Sequence, residues 1–540
     1  MSASAEIHPY KGIAYWKSFG HDFWLDFGLH NVGIGSEIME GAERLLLDQE
    51  KEREDVLLVN PHRWGGWLKT PFHSVLLPNW EAFAEAQTNS NSLQTFRINN
   101  VFLPPSPFFE QKLVPIFTNN INLTSLELRS CGLEPSEIAV LARFIENNSS
   151  LSILDLSVNK MDCVEASISL SLAMKTHVEL CFVNFSQCNL GENPAVLSAI
   201  LDGCKGLKSL IVDDNGIFNG NGVGLVAEFL SSSKTITLFS MANNVNQPNY
   251  KPNYIGDDQV KLLSRSLKKN PSLCHLCLGS NRLHIPSFLS NWRVTENLTQ
   301  LDLNGNNIRT PGAKIIAAFL SQNQTLEDLD LSRNRINSLS ASLIGNALKK
   351  NTTLRHFNLS RNNLCDKAVH AFVDALKYNR TLLSLDLSGN AIKVTSGRKE
   401  LTSAICDTSS LSCIANSSNH TCQLVVSSGK SSYMNHLTHE EEMKLINGLD
   451  NEGQKIRYKV VLALFVIKKD LFNPRNFVDV PLELMPYLLE IAQQDVGYRG
   501  FGVGIVKSTK KHRVNGLDPT LNRLYNVVMG WDTPLLVLVS

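Results

Sequence analysis

Four stretches of the chain repeat one pattern of apolar and polar positions. They read LTQLDLNGNNI from Leu298, LEDLDLSRNRI from Leu326, LRHFNLSRNNL from Leu354 and LLSLDLSGNAI from Leu382. Their first residues lie 28 positions apart, and each stretch has apolar residues at its first, fourth and sixth positions and Asn at its ninth. A fixed period of this length predicts a stack of similar structural units, called coils below.

Each part of the pattern has a physical explanation. The near-alternation of apolar and polar positions predicts a short strand with one buried side. The Asn at the ninth position is expected to bond backbone groups of its own and the neighbouring coil where the chain leaves the sheet. Apolar residues at helical spacing in Pro311–Leu320 predict a helix, with Pro311 in its first turn. One coil cannot bury its own apolar side, so the coils must stack.

The same pattern extends, less regularly, over most of the chain. Further coils begin at Leu93, Leu123, Leu151, Leu180, Leu207, Ile236 and Leu273, and a degenerate one at Leu411 with Asn419 in its ninth position. Residues 93–422 are therefore predicted to form about twelve coils. The short step from Leu273 to Leu298 predicts a shortened helix around Pro286.

The coils resemble a known repeat family. A step of 28 or 29 residues with Asn or Cys at the ninth position, as at Cys131, Cys188 and Asn306, resembles the ribonuclease-inhibitor type of leucine-rich repeat. That family includes the ribonuclease inhibitor, the repeat regions of NOD-like receptors and the Ran GTPase-activating protein. The resemblance implies an α/β solenoid shaped as a horseshoe, with a curved parallel sheet inside and helices outside. Its members bind unrelated partners, so the fold does not name one.

The flanking sequences lack the repeat and divide the chain into four parts. Residues 1–59 are either an interaction segment or partly disordered, and the sequence leaves both open. Residues 60–92 are expected to cap the open end of the solenoid, with a helix at Leu76–Gln87. Residues 423–540 are expected to form a small, mainly helical capping domain that packs on the last coil.

One coil is longer than its neighbours. The step from Ile236 to Leu273 is 37 residues, and the extra length lies in NQPNYKPNYIGD at 246–257, whose Pro, Asn and Gly indicate a loop. Tyr250 and Tyr254 in this loop are candidate partner contacts, because Tyr is favoured at protein interfaces. The alternative is an insertion with no binding role.

Charge and cysteine content restrict the functional classes. Lys plus Arg and Asp plus Glu both number 51, which removes the electrostatic argument for nucleic acid or an anionic membrane as partner. The eleven Cys and the absence of a secretory signal at the start of the printed sequence indicate reduced thiols, and hence a cytoplasmic or nuclear protein. No apolar run is long enough to span a bilayer.

No motif predicts chemistry. Cys274-His275-Leu276-Cys277 resembles half of a zinc site, but no second ligand pair follows, and two thiols three residues apart on a strand lie about 10 Å from each other. No nucleophile, acid–base or kinase motif is present. The expectation is a protein without metal, cofactor or catalytic residues.

The candidate partner surface is the strand face that carries polar side chains. Repeat positions two, three, five, seven and eight are expected to point away from the core. In the regular coils they place acidic, basic and amide groups in columns: Asp302, Asp330, Asn358 and Asp386 at position five, Arg333 and Arg361 at position eight, and Glu327 and Arg355 at position two. This ladder either contacts a basic or mixed-charge protein or is a solvated strand face that follows the repeat consensus.

The sequence therefore predicts a non-enzymatic scaffold that binds another protein on the concave face of a solenoid. The first alternative is a Ran-type activator of a small GTPase, although the acidic tail typical of that family is absent and no catalytic residue can be carried over. The second is the ligand-sensing module of an innate-immunity-like receptor. An enzyme in residues 1–90 or 423–540 is the least favoured reading, because neither flank carries a recognisable catalytic set.

Overall fold

The chain divides into two compact units. The computed structural model describes residues 55–59, 77, 80, 81, 84, 93–99, 102–217, 221–242, 257–290, 296–407 and 418–426. The first unit comprises Met1–Ile308 and Thr325–Asp330, and the second comprises Arg309–Gln324 and Leu331–Ser540.

The first unit alternates strands and helices. Its described strands are β1 (Asp55–Val59), β2 (Thr95–Asn99), β3 (Ser125–Arg129), β4 (Ile153–Asp155), β5 (Phe182–Asn184), β6 (Ser209–Ile211), β7 (Leu238–Ser240), β8 (His275–Cys277), β9 (Gln300–Asp302) and β10 (Asp328–Asp330). Its described helices are α1 (Val114–Asn119), α2 (Pro135–Asn147), α3 (Val164–Thr176), α4 (Pro194–Gly203), α5 (Gly222–Ser232) and α6 (Asp257–Lys269). Each strand pairs in parallel with the next one in chain order, so the sheet is open.

The pairing keeps equivalent repeat positions in register. Leu329, at the fourth position of its coil, lies opposite Leu301, at the fourth position of the preceding coil. A slip of one residue would turn the buried side chains outward, so the Leu pattern fixes this register. The strands predicted from Leu93 to Leu326 are all confirmed. The shortened helix predicted near Pro286 is also confirmed, as a 3-10 turn at Ser287–Ser290.

The second unit repeats the same alternation. Its described elements are α7 (Thr310–Leu320), α8 (Ser338–Leu348), β11 (His356–Asn358), α9 (Asp366–Tyr378), β12 (Ser384–Asp386), α10 (Lys399–Ile405) and β13 (Gln423–Val425). The strands pair in parallel in the order β11, β12, β13, and consecutive helices pack side by side. Pro311 lies in the first turn of α7, as predicted.

The core of each unit lies between the strands and the helices. Positions one, four and six of all eleven described coils, from Leu93 to Leu387, are at most 5% exposed. The helices contribute apolar stripes to the same core, such as Val226 and Leu230 of α5 in the first unit and Val369 and Phe372 of α9 in the second. Burial of this apolar surface is the main stabilising contribution.

The Asn at the ninth position links neighbouring coils, as predicted. Asn306 Oδ1 accepts hydrogen bonds from the Asn281 and Leu283 N–H groups at 3.0 and 2.9 Å. Asn306 Nδ2 donates to the Leu278 and Leu303 carbonyls, both at 3.0 Å. One buried amide thus satisfies backbone groups of two coils that no strand ladder reaches. Asn159 and Asn215 make the same bonds in the first unit, and Asn362 and Asn390 in the second.

Cysteine replaces Asn at this position in two early coils. The Cys131 and Cys188 thiols donate to the Ile98 and Leu156 carbonyls of the preceding coils, both at 3.3 Å. A thiol reproduces one donated bond of the amide but offers only a weak acceptor. Burial raises the pKa of Cys188 to about 12, which keeps its donor proton in place.

A second set of Asn residues, which the sequence reasoning missed, lies three residues before the first Leu of a coil. Asn379 Oδ1 accepts from the Thr381 and Leu382 N–H groups, and its Nδ2 donates to the Leu348 and Asn351 carbonyls, all at 2.8 to 3.0 Å. The amide therefore joins the end of one helix to the start of the next strand. Asn270 and Asn351 make equivalent bonds.

Asn419 belongs to this second set, so its assignment to the ninth position of a coil from Leu411 is wrong. Its Oδ1 accepts from the Thr421 and Cys422 N–H groups at 2.9 and 2.8 Å, and β13 follows it directly. Asn can serve at both places because both need one acceptor and one donor on a short side chain.

The sheet extends beyond the predicted repeat region. β1 lies at the end of segment 1–59 and pairs with β2 over five residues, and β13 lies just past the predicted boundary at residue 422. Leu77, Trp80, Glu81 and Ala84 are helical, as the helix at Leu76–Gln87 predicts. The helices predicted after residue 426 lie outside the described residues.

The bonds of Asn306 make a testable case. Replacing Asn306 by Ala leaves the N–H groups of Asn281 and Leu283 buried without their acceptor, at about 1–3 kcal/mol each. We expect the free energy of unfolding of the full chain to fall by about 3–5 kcal/mol, measured by urea denaturation followed by circular dichroism. Asn307→Ala is the control, because the structure describes no hydrogen bond for that side chain. Equal losses of unfolding free energy in the two variants would contradict the stabilising role of the Asn306 hydrogen bonds.

Candidate functional site on the open face of the sheet

In three of the short strands only the central side chain is buried, and its two neighbours are accessible. In β12, Leu385 is buried, whereas Ser384 and Asp386 are half-buried. β4 and β5 show the same alternation. We call the surface formed by repeat positions two, three, five, seven and eight the open face, because these side chains point away from the core. It is described separately for each unit.

The polar residues at position five close the ends of the strands. Asp386 Oδ1 accepts a hydrogen bond from the N–H of Ser388, two residues on, at 2.8 Å. This is an Asx turn, which occupies a backbone donor as the chain leaves the sheet. The same bond joins Asp155 to Ser157, Asn184 to Ser186, Asp302 to Asn304, and Asn358 to Ser360. The recurrent Asp and Asn at this position therefore have a structural task.

In the first unit the predicted acidic pair is largely buried. Asp302 and Asp330 lie opposite each other on β9 and β10 and are only 6% and 2% exposed. Asp302 Oδ1 also accepts from Asn304 Nδ2 at 2.5 Å. Glu327, at position two, is exposed. The structure thus brings Asp302 and Asp330 together, as the repeat register predicts, but leaves little of either carboxylate for a partner.

In the second unit the exposed groups of the open face are mainly basic. Asn358 and Asp386 lie opposite each other on β11 and β12 and are half-buried. Arg333, Arg355 and Arg361 are exposed. The apolar Leu383 also lies on this face, with 38% of its surface exposed. Tyr250 and Tyr254, the remaining predicted contacts, lie outside the described residues.

Position eight has a left-handed backbone in both units. Glycine occupies it at Gly305 and Gly389, with φ of +64° and +68°. Arg333 and Arg361 adopt the same conformation with φ of 54° and 53°, which costs an ordinary residue about 1–2 kcal/mol. A Cβ at Gly389 would lie 2.8 Å from Arg361 Cγ, so the Arg361 side chain runs over this glycine.

The open face of the first unit also carries an ion pair that the sequence reasoning missed. Arg97 Nε and Nη2 donate to the two carboxylate oxygens of Glu127 at 2.5 and 2.6 Å. The two residues occupy position five of neighbouring coils and pair in register on β2 and β3. Opposite charges at equivalent repeat positions were the signal available in the sequence. Because the guanidinium and the carboxylate bind each other through two hydrogen bonds, the open face is electrically neutral at this point.

A half-buried carboxyl group lies further along the same unit. Asp213 Oδ1 accepts from Ser240 Oγ at 2.6 Å and from the Ala242 N–H at 2.7 Å. Burial, together with the nearby carboxylates of Asp302 and Asp214, raises the pKa of Asp213 to about 6, although these two hydrogen bonds lower it. Cys277, whose thiol donates to Asp302 Oδ2 at 3.6 Å, has a pKa well above its usual value for the same reasons.

These groups are not poised for nucleophilic or metal chemistry. The raised pKa keeps the Cys277 thiol protonated, and burial lowers the pKa of His275 to about 4. Within the described residues, no group of three or more His, Cys, Asp and Glu side chains is placed to hold a metal ion. None of the described helices is both long and apolar enough to cross a membrane.

Comparison with known families agrees with this geometry. A family model described as Leucine Rich repeat matches residues 296–317, 322–345, 350–373 and 378–398. These four segments carry leucine-rich repeats. The four matched segments contain the regular strings from which the repeat was recognised, and the leucine-rich-repeat pattern of buried positions continues through the other described coils. No curated protein matches the chain.

Solved structures similar to the chain include three with low overall similarity. They are leiomodin-1 actin-binding site 2 (20% identity, 33% of this chain and 94% of that one, TM-score 0.24), an internalin from Listeria monocytogenes strain 4b F2365 (14%, 74% and 95%, 0.35) and TLR13 in complex with ssRNA13 (15%, 68% and 46%, 0.37). The chain thus spans less than half of the TLR13 chain. With TM-scores this low, none of these likenesses bears on fold or binding.

The raised pKa of Asp213 predicts how stability varies with pH. Its ordinary value is 3.8 and its folded value about 6, so between these values the folded state holds a proton that the unfolded state releases. This group's contribution to the free energy of unfolding therefore falls as pH rises through that range and is constant above it. We expect Asp213→Asn, which keeps an acceptor for Ser240, to stabilise the chain by about 2 kcal/mol at neutral pH and not at pH 4.

The measurement is urea denaturation of the full chain at several pH values. Asp202→Asn is the control, because it removes the same charge from an accessible carboxylate. The Lys205 and Lys175 ammonium groups, at 2.7 and 3.0 Å, lower the pKa of Asp202. The control should be neutral or destabilising at neutral pH. A destabilised Asp213→Asn variant at neutral pH would contradict the assignment.

Proposed function

We propose that this leucine-rich-repeat chain is a non-enzymatic protein-interaction module whose partner binds the open face of the sheet. The observation that supports this is the exposure of Arg333, Arg355 and Arg361 on the open face of the second unit. Among the described residues, the Arg333 and Arg361 guanidinium groups form no salt bridge. Exposed arginines are favoured at protein interfaces.

The physical arrangement suits binding rather than catalysis. Parallel strands lie about 4.8 Å apart, so each coil adds one row of side chains at a regular spacing. A partner that lies across several rows forms many contacts with side chains that the fold already holds in place, which reduces the entropy lost on binding.

The predicted site residues divide into two roles under this proposal. Asp302, Asn358 and Asp386 hold the strand ends, and Asp330 is buried beside Asp302. The exposed Glu327, Arg333, Arg355 and Arg361 are the proposed contacts. Tyr250 and Tyr254 are retained as proposed contacts from the long insertion. No observation on the open face favours a GTPase activator or a sensing receptor over a general interaction module.

Two further assignments belong to this proposal. The step of 28 residues and the Asn or Cys at position nine support the ribonuclease-inhibitor type of repeat. A cytoplasmic or nuclear location is supported by the described cysteines, all of which are free: Cys131, Cys163, Cys181, Cys188, Cys204, Cys274, Cys277, Cys365, Cys406 and Cys422.

Blocking the open face with bulky side chains tests the proposal. His356 and Ser384 occupy position three and lie opposite each other on β11 and β12. We expect His356→Trp with Ser384→Trp to reduce recovery of the partner in affinity purification at least about tenfold, because two indoles displace it from the strand surface. The partner is identified by mass spectrometry against the unmodified full chain.

The matched control places Trp on the helix side of the same unit, at the exposed Lys314 and the accessible Ser321. This pair should leave recovery unchanged. Equal recovery with the open-face pair and with the unmodified chain would end the proposal. A small-GTPase hydrolysis assay with the unmodified chain serves as a second readout, and stimulation of hydrolysis would favour the activator instead.

A further inference from the structure

The second unit is strongly basic although the whole chain is neutral. Over all 540 residues Lys plus Arg and Asp plus Glu are equal at 51. The described residues of the second unit hold fourteen Lys and Arg but only five acidic residues, Asp366, Asp374, Asp386, Glu400 and Asp407. Such an excess attracts anionic groups and speeds their encounter.

On the helix side of this unit the charges are locally compensated. Lys349 Nζ lies 2.9 Å from Asp374, and His370 Nδ1 lies 2.6 Å from Glu400. Asp366 accepts from the Lys393 N–H at 2.8 Å and from Ser396 Oγ at 2.7 Å. The carboxylates are therefore engaged away from the open face.

On the open face of this unit, basic residues outnumber acidic ones. Arg333, Arg355 and Arg361 are exposed there, and the single acidic residue described on the open face of this unit is Asp386. One oxygen of Asp386 already accepts the Ser388 N–H at 2.8 Å. Within the described part of the chain, no salt bridge involves the Arg333 or Arg361 guanidinium.

These two arginines are neighbours. The Arg333 N–H donates to the Ser360 carbonyl at 2.9 Å, and the Arg361 N–H donates to the Ser388 carbonyl at 2.7 Å. They thus occupy the same position in successive coils, and two like charges at this spacing repel each other. A carboxylate bound between them relieves the repulsion, and the planar guanidinium group can hold it through two parallel hydrogen bonds.

The backbone conformation of both arginines is that of their repeat position. Both hold the left-handed conformation that Gly389 adopts in the next coil without strain. Ser130, Val158 and Gln187 hold it in the first unit as well, so this conformation belongs to the repeat and does not by itself mark a site. The Arg361 side chain, lying over Gly389, is also directed along the column rather than away from it.

We propose that the open face of the second unit binds an acidic peptide segment of the partner, with Arg333 and Arg361 pairing with its carboxylates. This rests on the proposed function and adds the chemistry of the partner. A peptide fits better than a nucleic acid. Bases bind by stacking on aromatic side chains, and the described open face of this unit offers no aromatic ring except that of His356.

The test uses the full chain and three labelled probes in fluorescence anisotropy. The probes are a peptide of about twelve residues rich in Asp and Glu, its Asn and Gln counterpart, and a single-stranded oligonucleotide. We expect the acidic peptide to bind at least about tenfold more tightly than the other two, and to weaken as NaCl rises from about 50 to about 300 mM. Equal affinity for the neutral peptide, or tighter binding of the oligonucleotide, would overturn the proposal.

The variant Arg333→Gly with Arg361→Gly separates binding from folding. Glycine suits the left-handed backbone, so we expect an unchanged or higher Tm together with a loss of at least about tenfold in affinity for the acidic peptide. Gln187→Gly with Ser280→Gly is the matched control, because it makes the same backbone change at position eight in the first unit, where φ is 57° and 56°. The control should bind as the unmodified chain does.

The outcomes distinguish this inference from the proposed function. If the Trp variants lose the partner but the acidic peptide does not bind, the interaction module stands and the acidic segment is wrong. Full affinity in the double Arg variant would also refute the arginine assignment. Sedimentation of the unmodified chain completes the test. If the unmodified chain self-associates and the double Arg variant does not, a second copy of the chain occupies this face. That result would overturn the proposal of an acidic peptide.

Discussion

The structure depends on one constraint: where each coil leaves the sheet, its buried backbone N–H and C=O groups must still find hydrogen-bond partners. The amide of Asn306 meets this constraint by accepting from two N–H groups of the preceding coil and donating to carbonyls of both coils. Few side chains are short enough and carry both functions. Each coil must therefore return its Asn to the same place beside the last one, whether its step is 28 residues or, as from Leu273 to Leu298, only 25.

A related constraint at the strand end explains the polar column that first suggested a binding site. Asp386 and Asn358 each use one oxygen to hold the N–H two residues on. An Asp that recurs at position five is thus selected by the backbone as much as by a partner. Under the proposed function, contacts with a partner fall to exposed positions such as that of Arg361.

The sequence predicted the parts of the fold that depend on periodicity. Three Leu per coil and a fixed step placed the strands at Gln300–Asp302 and Ser384–Asp386. It did not predict the burial of Asp302 and Asp330. A linear pattern does not show that an aspartate at position five can fold back onto the backbone at the strand end. Asn419 was misassigned because Asn performs the same chemistry three residues before the first Leu and eight after it. Asn351 and Asn379 carried that second signal in the sequence, and it was overlooked.

Position eight shows where side-chain function and backbone preference disagree. A coil that needs only to turn is best served by glycine, as at Gly305 and Gly389. Arginine in the same left-handed conformation at Arg333 and Arg361 makes the turn less favourable and brings two like charges together. Ser130, Val158 and Gln187 hold the same conformation in the first unit, so the backbone cost belongs to the repeat and not to the arginines. What the fold itself does not explain is the placing of two like charges in successive coils, and the proposed acidic partner would relieve that repulsion.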